Sequence, residues 1–183
     1  PSKGYKDLLE ALEVLKHRGI SFRCDFCGEF VQAVAENNML SPEYLREEFY
    51  HKLRELDLED RVVYRGTVQG KDKQRLLSRA HVFVLPTYYP WEGQPVSIIE
   101  ALAFGLPVIS TDHKAIPGQV IEGYNGYLVH KQNPLQIADR LHILNQEPFI
   151  WEQMCNNALK VFYHKFRREE HLNKLIPLIT DSS

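Results

Sequence analysis

Glu92 and Glu100 bracket the run Glu92-Gly93-Gln94-Pro95-Val96-Ser97-Ile98-Ile99-Glu100, with seven residues between them. The run reads as a loop turning into a helix. Pro95 suits the first helical position, because its fixed φ is helical and its missing N–H would have no partner there. Val96, Ile98, Ile99, Ala101, Leu102 and Ala103 continue an apolar helix up to Gly105. From Pro95 to Glu100 the axis rises roughly 7–8 Å. A helix N-terminus offers free N–H groups and the positive end of a dipole, which suits a phosphate. Carboxylates on either side of it can accept hydrogen bonds from hydroxyls. Sugar hydroxyls, a diphosphate and ribose hydroxyls follow one another in this order in a nucleotide-sugar. Taken alone, the same pair could be an acid and a base acting on another substrate.

The elements that must position this run alternate. Tyr5–Lys16 carries a helical stripe of Leu8, Leu9, Leu12 and Leu15. Ser21–Cys27 reads as a strand ending at Gly28, and Ser41-Pro42 opens a helix with Leu45, Phe49, Leu53 and Leu56 on one face. A strand follows over Arg61–Tyr64, stopping at Gly66, then a helix over Lys71–Ser78 and a strand over His81–Leu85 ending at Pro86. After the glutamate helix come the strand Pro107–Ser110, a turn at Gly123–Gly126, the strand Tyr127–Val129 and the helix Pro134–Asn145. From Glu147 to about Ile179 the chain reads as helical, in two or more pieces. Such alternation predicts an α/β fold: a doubly wound, mainly parallel sheet with helices on both faces and a helical C-terminal tail. Residues 1–146 form its α/β core and 147–183 the C-terminal helices of one domain. Ligands of such sheets bind at the carboxyl ends of the strands. Here those are the loops Gly28–Phe30, Arg65–Val68, Pro86–Gln94 and Thr111–Gly118. His113 lies at that rim as a candidate ligand contact, and Tyr88 and Trp91 could either stack on a ligand or pack.

With 183 residues, 44% of them hydrophobic, the chain is long and apolar enough for one globular domain. A formal net charge of -2 gives no electrostatic case for nucleic acid or an anionic membrane. No apolar run approaches the length of a membrane span. Cys24 and Cys27 form a C-x-x-C, but no second pair follows to complete four zinc ligands. The pair is expected as buried core cysteines, and with Cys155 the three unpaired thiols fit a reducing compartment, as in the cytoplasm.

The chain resembles the C-terminal, donor-binding domain of family four retaining glycosyltransferases, which have the two-domain GT-B fold with Rossmann-like halves. The resemblance rests on Lys3-Gly4 before a Leu-Leu helix, Gly28 after a strand, Val63-Tyr64-Arg65-Gly66, and Leu76-Leu77 followed by Ala80 through Pro86. It continues in Glu92 through Glu100, Ala101-Leu102-Ala103-Phe104-Gly105-Leu106-Pro107-Val108-Ile109, Ile116-Pro117, and Gly123 through Val129. The spacing of the glutamates is a weak signal alone; followed by Ala-x-Ala-x-Gly-x-Pro-Val-Ile in this order it is strong.

The resemblance implies a UDP- or GDP-sugar as donor substrate, no permanently bound cofactor and no metal. Glu92 would contact the donor sugar, Glu100 the ribose hydroxyls, and Lys3 the diphosphate. Backbone groups over Gly93, Gln94, Pro95 and Val96 would hold sugar and phosphate oxygens (Pro95 without an N–H), and Gly28, Arg65, Gly66 and Thr67 would wall the base. The product would belong to polysaccharide or glycoconjugate synthesis. Three departures stand out. No residue supplies the phosphate-binding arginine that precedes the lysine; Gly118 replaces a glutamate after Ile-Pro; and Tyr88–Trp91 is bulkier than the usual Ser-rich loop. The chain opens on a helix rather than the central strand expected of such a sheet. An upstream strand and acceptor domain are therefore expected, with any membrane association carried there and the isolated chain inactive. Other GT-B enzymes (a sucrose or starch synthase, a nucleotide-sugar epimerase) and a degenerate binding module remain open alternatives.

Overall fold

Leucines spaced three and four apart make the first helix, α1 (Tyr5–His17), and bury Leu8, Leu9, Leu12 and Leu15. The computed structural model describes residues 3–35, 38–167 and 169–170. After α1 come β1 (Cys24–Cys27), β2 (Ala33–Ala35), β3 (Asn38–Leu40), α2 (Pro42–Glu55), β4 (Val62–Gly66), α3 (Gly70–Arg79) and β5 (Phe83–Leu85). Next are α4 (Val96–Ala103), β6 (Val108–Thr111), a 3-10 turn over Ile116–Gly118, β7 (Gly126–Val129), α5 (Pro134–Gln146) and α6 (Pro148–Val161). The helical reading beyond residue 170 lies outside the described residues. Side chains start two of the helices. The Ser41 hydroxyl accepts from the N–H of Tyr44, and the Asn133 amide oxygen from that of Gln136, each ahead of a proline at the helix start.

β1 pairs parallel with β4, and β5–β6–β7 form a parallel three-stranded sheet. Among the described residues no ladder joins the two sheets, yet both face one core containing Leu9, Phe49, Val62, Ile109 and Val129. A second cluster on the opposite face gathers Ile98 and Leu102 of α4, Val108 of β6 and Ala158 of α6. Val108 and Ile109 are neighbours in β6 and enter opposite clusters, as the two-residue period of a strand requires. β6 is therefore buried throughout, and its apolar sequence reflects cover on both faces. Burying a side chain the size of Ile98 or Leu102 contributes roughly 1.5–3 kcal/mol, which anchors α4 to the sheet.

The chain adds a short antiparallel hairpin, β2–β3, that the sequence does not announce: Ala33 lies opposite Leu40 and Ala35 opposite Asn38. Three-residue strands are too short to display alternation. β1 and β5 are also shorter than the apolar runs that contain them. The expectation of core cysteines is half met. Cys24 is half-buried against the core, while Cys27 is exposed, because alternation in β1 turns it to the other face.

Gly4, with φ +75°, lies so close to β5 that an added Cβ would sit 2.1 Å from the carbonyl oxygen of Pro86. Only glycine lets the start of α1 approach the carboxyl end of β5. Gly4→Ala should lower unfolding stability by about 2–3 kcal/mol, from the backbone conformation and the clash together. A urea midpoint unchanged from wild type would show that this approach does not exist in solution.

Candidate functional site

That approach places Lys3 beside Glu92. The Lys3 ammonium lies 2.6 Å from Glu92 Oε2 and 5.0 Å from the centre of the Tyr89 ring. The hydroxyl of Thr87 donates to the same carboxylate oxygen at 2.8 Å. The Glu92 side chain is only 9% exposed, and these two donors satisfy Oε2 in that enclosed position.

The loop carrying these residues is strapped from β6. The Ser110 hydroxyl donates to the carbonyl of Leu85 at 2.6 Å, and the Thr111 hydroxyl donates to that of Thr87. His113 is buried, with Nε2 2.9 Å from the carbonyl of Tyr89. A carbonyl only accepts, so Nε2 carries the proton. The rim position foreseen for His113 is thus an internal one: the ring holds the loop. Trp91, by contrast, is 83% exposed, which removes simple packing as its role.

The start of α4 lies one residue later than the sequence suggested. Pro95 takes φ -60° and ψ 114° and precedes the helix instead of opening it. No side chain caps α4. Among the described residues the N–H groups of Gly93, Gln94, Val96 and Ser97 have no hydrogen-bond acceptor; that of Ile98 reaches the carbonyl of Pro95 at 3.2 Å. Pro95 is fixed from behind by Gln119, which is fully buried and donates from Nε2 to the same carbonyl at 3.0 Å. Asn125 in turn donates to the carbonyl of Gln119 at 2.9 Å and accepts from the N–H of Ile121 at 2.7 Å. Gln119 carries no local signal of this role, since its side chain reaches a carbonyl 24 positions away in sequence.

Glu100, in the second turn of α4, faces α3, where the Lys73 ammonium is 2.5 Å from Oε1. Gly28 and Gly66 close the carboxyl ends of β1 and β4 side by side: the N–H of Gly28 donates to the carbonyl of Gly66 at 2.8 Å, and the Tyr64 hydroxyl donates to the carbonyl of Gly28 at 2.9 Å. Thr67 is exposed directly beyond this closure. Arg65 spends its guanidinium on Asp25 of the neighbouring strand, Nε to Oδ1 2.7 Å. The result is an edge with an open helix N-terminus, two carboxylates each held by an ammonium from another element, and a paired-glycine wall. Such an edge can receive an anion flanked by hydroxyls.

The family profile of glycosyl transferases group 1 matches residues 1–175. The chain belongs to this family. It is 33% identical over 147 residues to a Salmonella typhimurium protein named as a colanic acid biosynthesis glycosyltransferase, WcaL, covering 76% of this chain and 32% of that one. It is 29% identical over 148 residues to the amylovoran biosynthesis glycosyltransferase AmsK of Erwinia amylovora, covering 79% and 33%. The chain thus spans about a third of the length of these relatives. Its fold matches the C-terminal domain of a group 1 glycosyl transferase from Francisella tularensis, with a TM-score of 0.73 at 24% identity over 91% of this chain and 81% of that one. It also matches Anabaena HepE, solved in complex with UDP, with a TM-score of 0.81 at 20% identity over 100% and 46%. The fold is that of the Rossmann-like C-terminal half of a GT-B glycosyltransferase.

Within this group 1 domain, the backbone at Gly118 serves the C-terminal segment, its carbonyl accepting from Lys165 Nζ at 3.2 Å. Among the described residues no helix is long and apolar enough to cross a membrane, and no three His, Cys, Asp or Glu side chains are grouped to hold a metal ion. The C-x-x-C pair lies along one strand, so its thiols are roughly 10 Å apart on opposite faces, beyond disulfide reach. Burial pushes the Cys24 thiol up to about 12 and, with the Asp25 charge, also raises that of Cys27. The thiolate fraction of both is therefore small below pH 9 and rises only as the pH approaches those raised values. Alkylation with iodoacetamide at pH 8 should label Cys27 more slowly than free cysteine and leave Cys24 intact in the folded chain. Fast labelling of Cys24, or a Cys24–Cys27 disulfide, would contradict this placement.

Proposed function

We propose that this chain is the donor-binding half of a retaining glycosyltransferase that takes a UDP- or GDP-sugar and passes the sugar to an acceptor held by an upstream domain. The observation that carries this reading is the open N-terminus of α4 between Glu92 and Glu100, with Lys3 at its mouth. A diphosphate would lie on the amides of Gly93, Gln94, Val96 and Ser97. The ribose hydroxyls would donate to Glu100, and the sugar hydroxyls would meet Glu92.

Glycosyl transfer separates charge: positive character grows at the anomeric carbon and negative charge on the leaving diphosphate. The Lys3 ammonium and the α4 N–H groups oppose the second. Lys3 is paired with Glu92, and a diphosphate on the α4 amides would draw that ammonium toward itself. The Thr87 hydroxyl then keeps Glu92 in place while Lys3 is shared. Glu92 orients the sugar and forms no covalent bond, since a nucleoside diphosphate is already a good leaving group.

Two further observations support a longer protein. The relatives named above are about three times the length matched, and β1 and β5 each have one neighbour only among the described residues, β4 and β6 respectively. In the 3-2-1-4-5-6 order of doubly wound sheets, one more parallel strand fits between them. The names of WcaL and AmsK favour an acceptor in polysaccharide or glycoconjugate synthesis. The isolated chain should bind donor without turnover.

Calorimetric titration with UDP and with GDP should give millimolar or tighter binding of at least one. Glu100→Ala should weaken it by about tenfold or more, the loss of a pair of hydrogen bonds to a charged group. Binding of neither nucleotide would sink the reading and leave a degenerate binding module, and an unaltered Glu100→Ala variant would remove Glu100 as the ribose acceptor.

A further inference from the structure

Lys73 lies outside every motif discussed so far. It sits in α3, which begins directly after the Gly66–Gln69 turn, and its ammonium contacts a carboxylate 27 positions away in sequence. The positions three and four away on its own helix, Gln69, Gly70, Leu76 and Leu77, carry no acid. Nearby Asp72 is taken by Arg75 at 3.3 Å. The Lys73–Glu100 pair is therefore a tertiary contact joining the element after the glycine wall to the helix that opens the site. Both side chains are a little over one-third exposed, at 37% and 35%.

The contact leaves the carboxylate usable. An ionised carboxylate has two oxygens and about four lone-pair directions, and Lys73 takes one direction on Oε1. Oε2 has no hydrogen-bond partner among the described residues, and the side chain is partly open to solvent, so it remains an available acceptor. A glutamate left free must lose several side-chain rotations before it can accept two hydroxyls at once. Lys73 removes part of that freedom beforehand, which is how preorganisation raises affinity. The lone pairs left over can accept from both hydroxyls of a vicinal diol.

We infer that Lys73 is a positioning residue that holds Glu100 for a vicinal ribose diol and so makes the site discriminate ribonucleotides from 2′-deoxyribonucleotides. This rests on Glu100 being the ribose acceptor, as proposed above. Lys73 does not touch the nucleotide; it acts through Glu100.

The test is calorimetry on the 183-residue chain with UDP and 2′-deoxy-UDP, or with the guanine pair where GDP binds more tightly. The variants are Lys73→Gln, Lys73→Arg, Glu100→Gln and the double variant Lys73→Gln/Glu100→Gln. Wild type should prefer the ribonucleotide. Lys73→Gln should weaken UDP about two- to fivefold, the size of a partly exposed ion pair, and narrow its preference over 2′-deoxy-UDP. Lys73→Arg should restore both, and Lys73→Gln should add nothing once Glu100 is Gln. Equal losses on the two nucleotides would overturn the inference, as would tighter UDP binding by Lys73→Gln or a loss that persists in the double variant. If Glu100→Gln weakens UDP while Lys73→Gln binds like wild type, this inference alone fails. If Glu100→Gln itself binds like wild type, or wild type binds no nucleotide, the assignment of the ribose to Glu100 falls and Lys73 falls with it.

Discussion

An uncapped helix N-terminus at the edge of a buried sheet is the constraint on which this site depends. Free N–H groups cost energy unless water, a cap or a ligand meets them. α4 forgoes a capping Ser, Thr, Asp or Asn and places Pro95 there, a residue that can neither cap nor donate. The rest of the local architecture keeps that end open and in place. Ile98 and Leu102 fasten the helix to the sheet, and Gln119 grips the Pro95 carbonyl from the interior. Removing the amide of Gln119 would leave the Pro95 carbonyl with the N–H of Ile98 alone, a loss of about 0.5–1.5 kcal/mol felt directly at the mouth of the site.

The same economy explains the two ion pairs. A carboxylate as enclosed as Glu92 has lost most of its water and depends on donors from the protein. Lys3 and Thr87 both donate to its Oε2, one from the segment before α1 and the other from the loop after β5. Glu100 is more open and has one ammonium, on a separate helix. On the proposed reading, one pair would yield its cation to a diphosphate while the other keeps its cation as a brace. The strap formed by Ser110, Thr111 and His113 gives both roles a rigid base, since it ties the loop after β5 to the carboxyl end of β6.

Much of this is legible in the chain before folding. The leucine stripe of α1, the Ser41-Pro42 start of α2 and the continuous apolar run of β6 announce their structures because each is a local pattern with one physical solution. The motif from Glu92 to Ile109 likewise names a loop, a helix and a strand in order. What escaped reading is non-local. Lys73 looks like an ordinary solvated lysine until α3 is laid against α4. Gln119 looks like a surface glutamine until the 3-10 turn carries it behind Pro95. Pro95 itself fits both the residue before a helix and the first residue within it, and the tertiary hold on its carbonyl selects the former. The β2–β3 hairpin is too short to show a period.

The most direct measurement is amide NMR of the 15N-labelled chain titrated with UDP. The account predicts that the largest shifts fall on the N–H groups of Gly93, Gln94, Val96 and Ser97, with smaller ones at Glu100. Saturable shifts confined to other surfaces, with the α4 start unmoved, would contradict it.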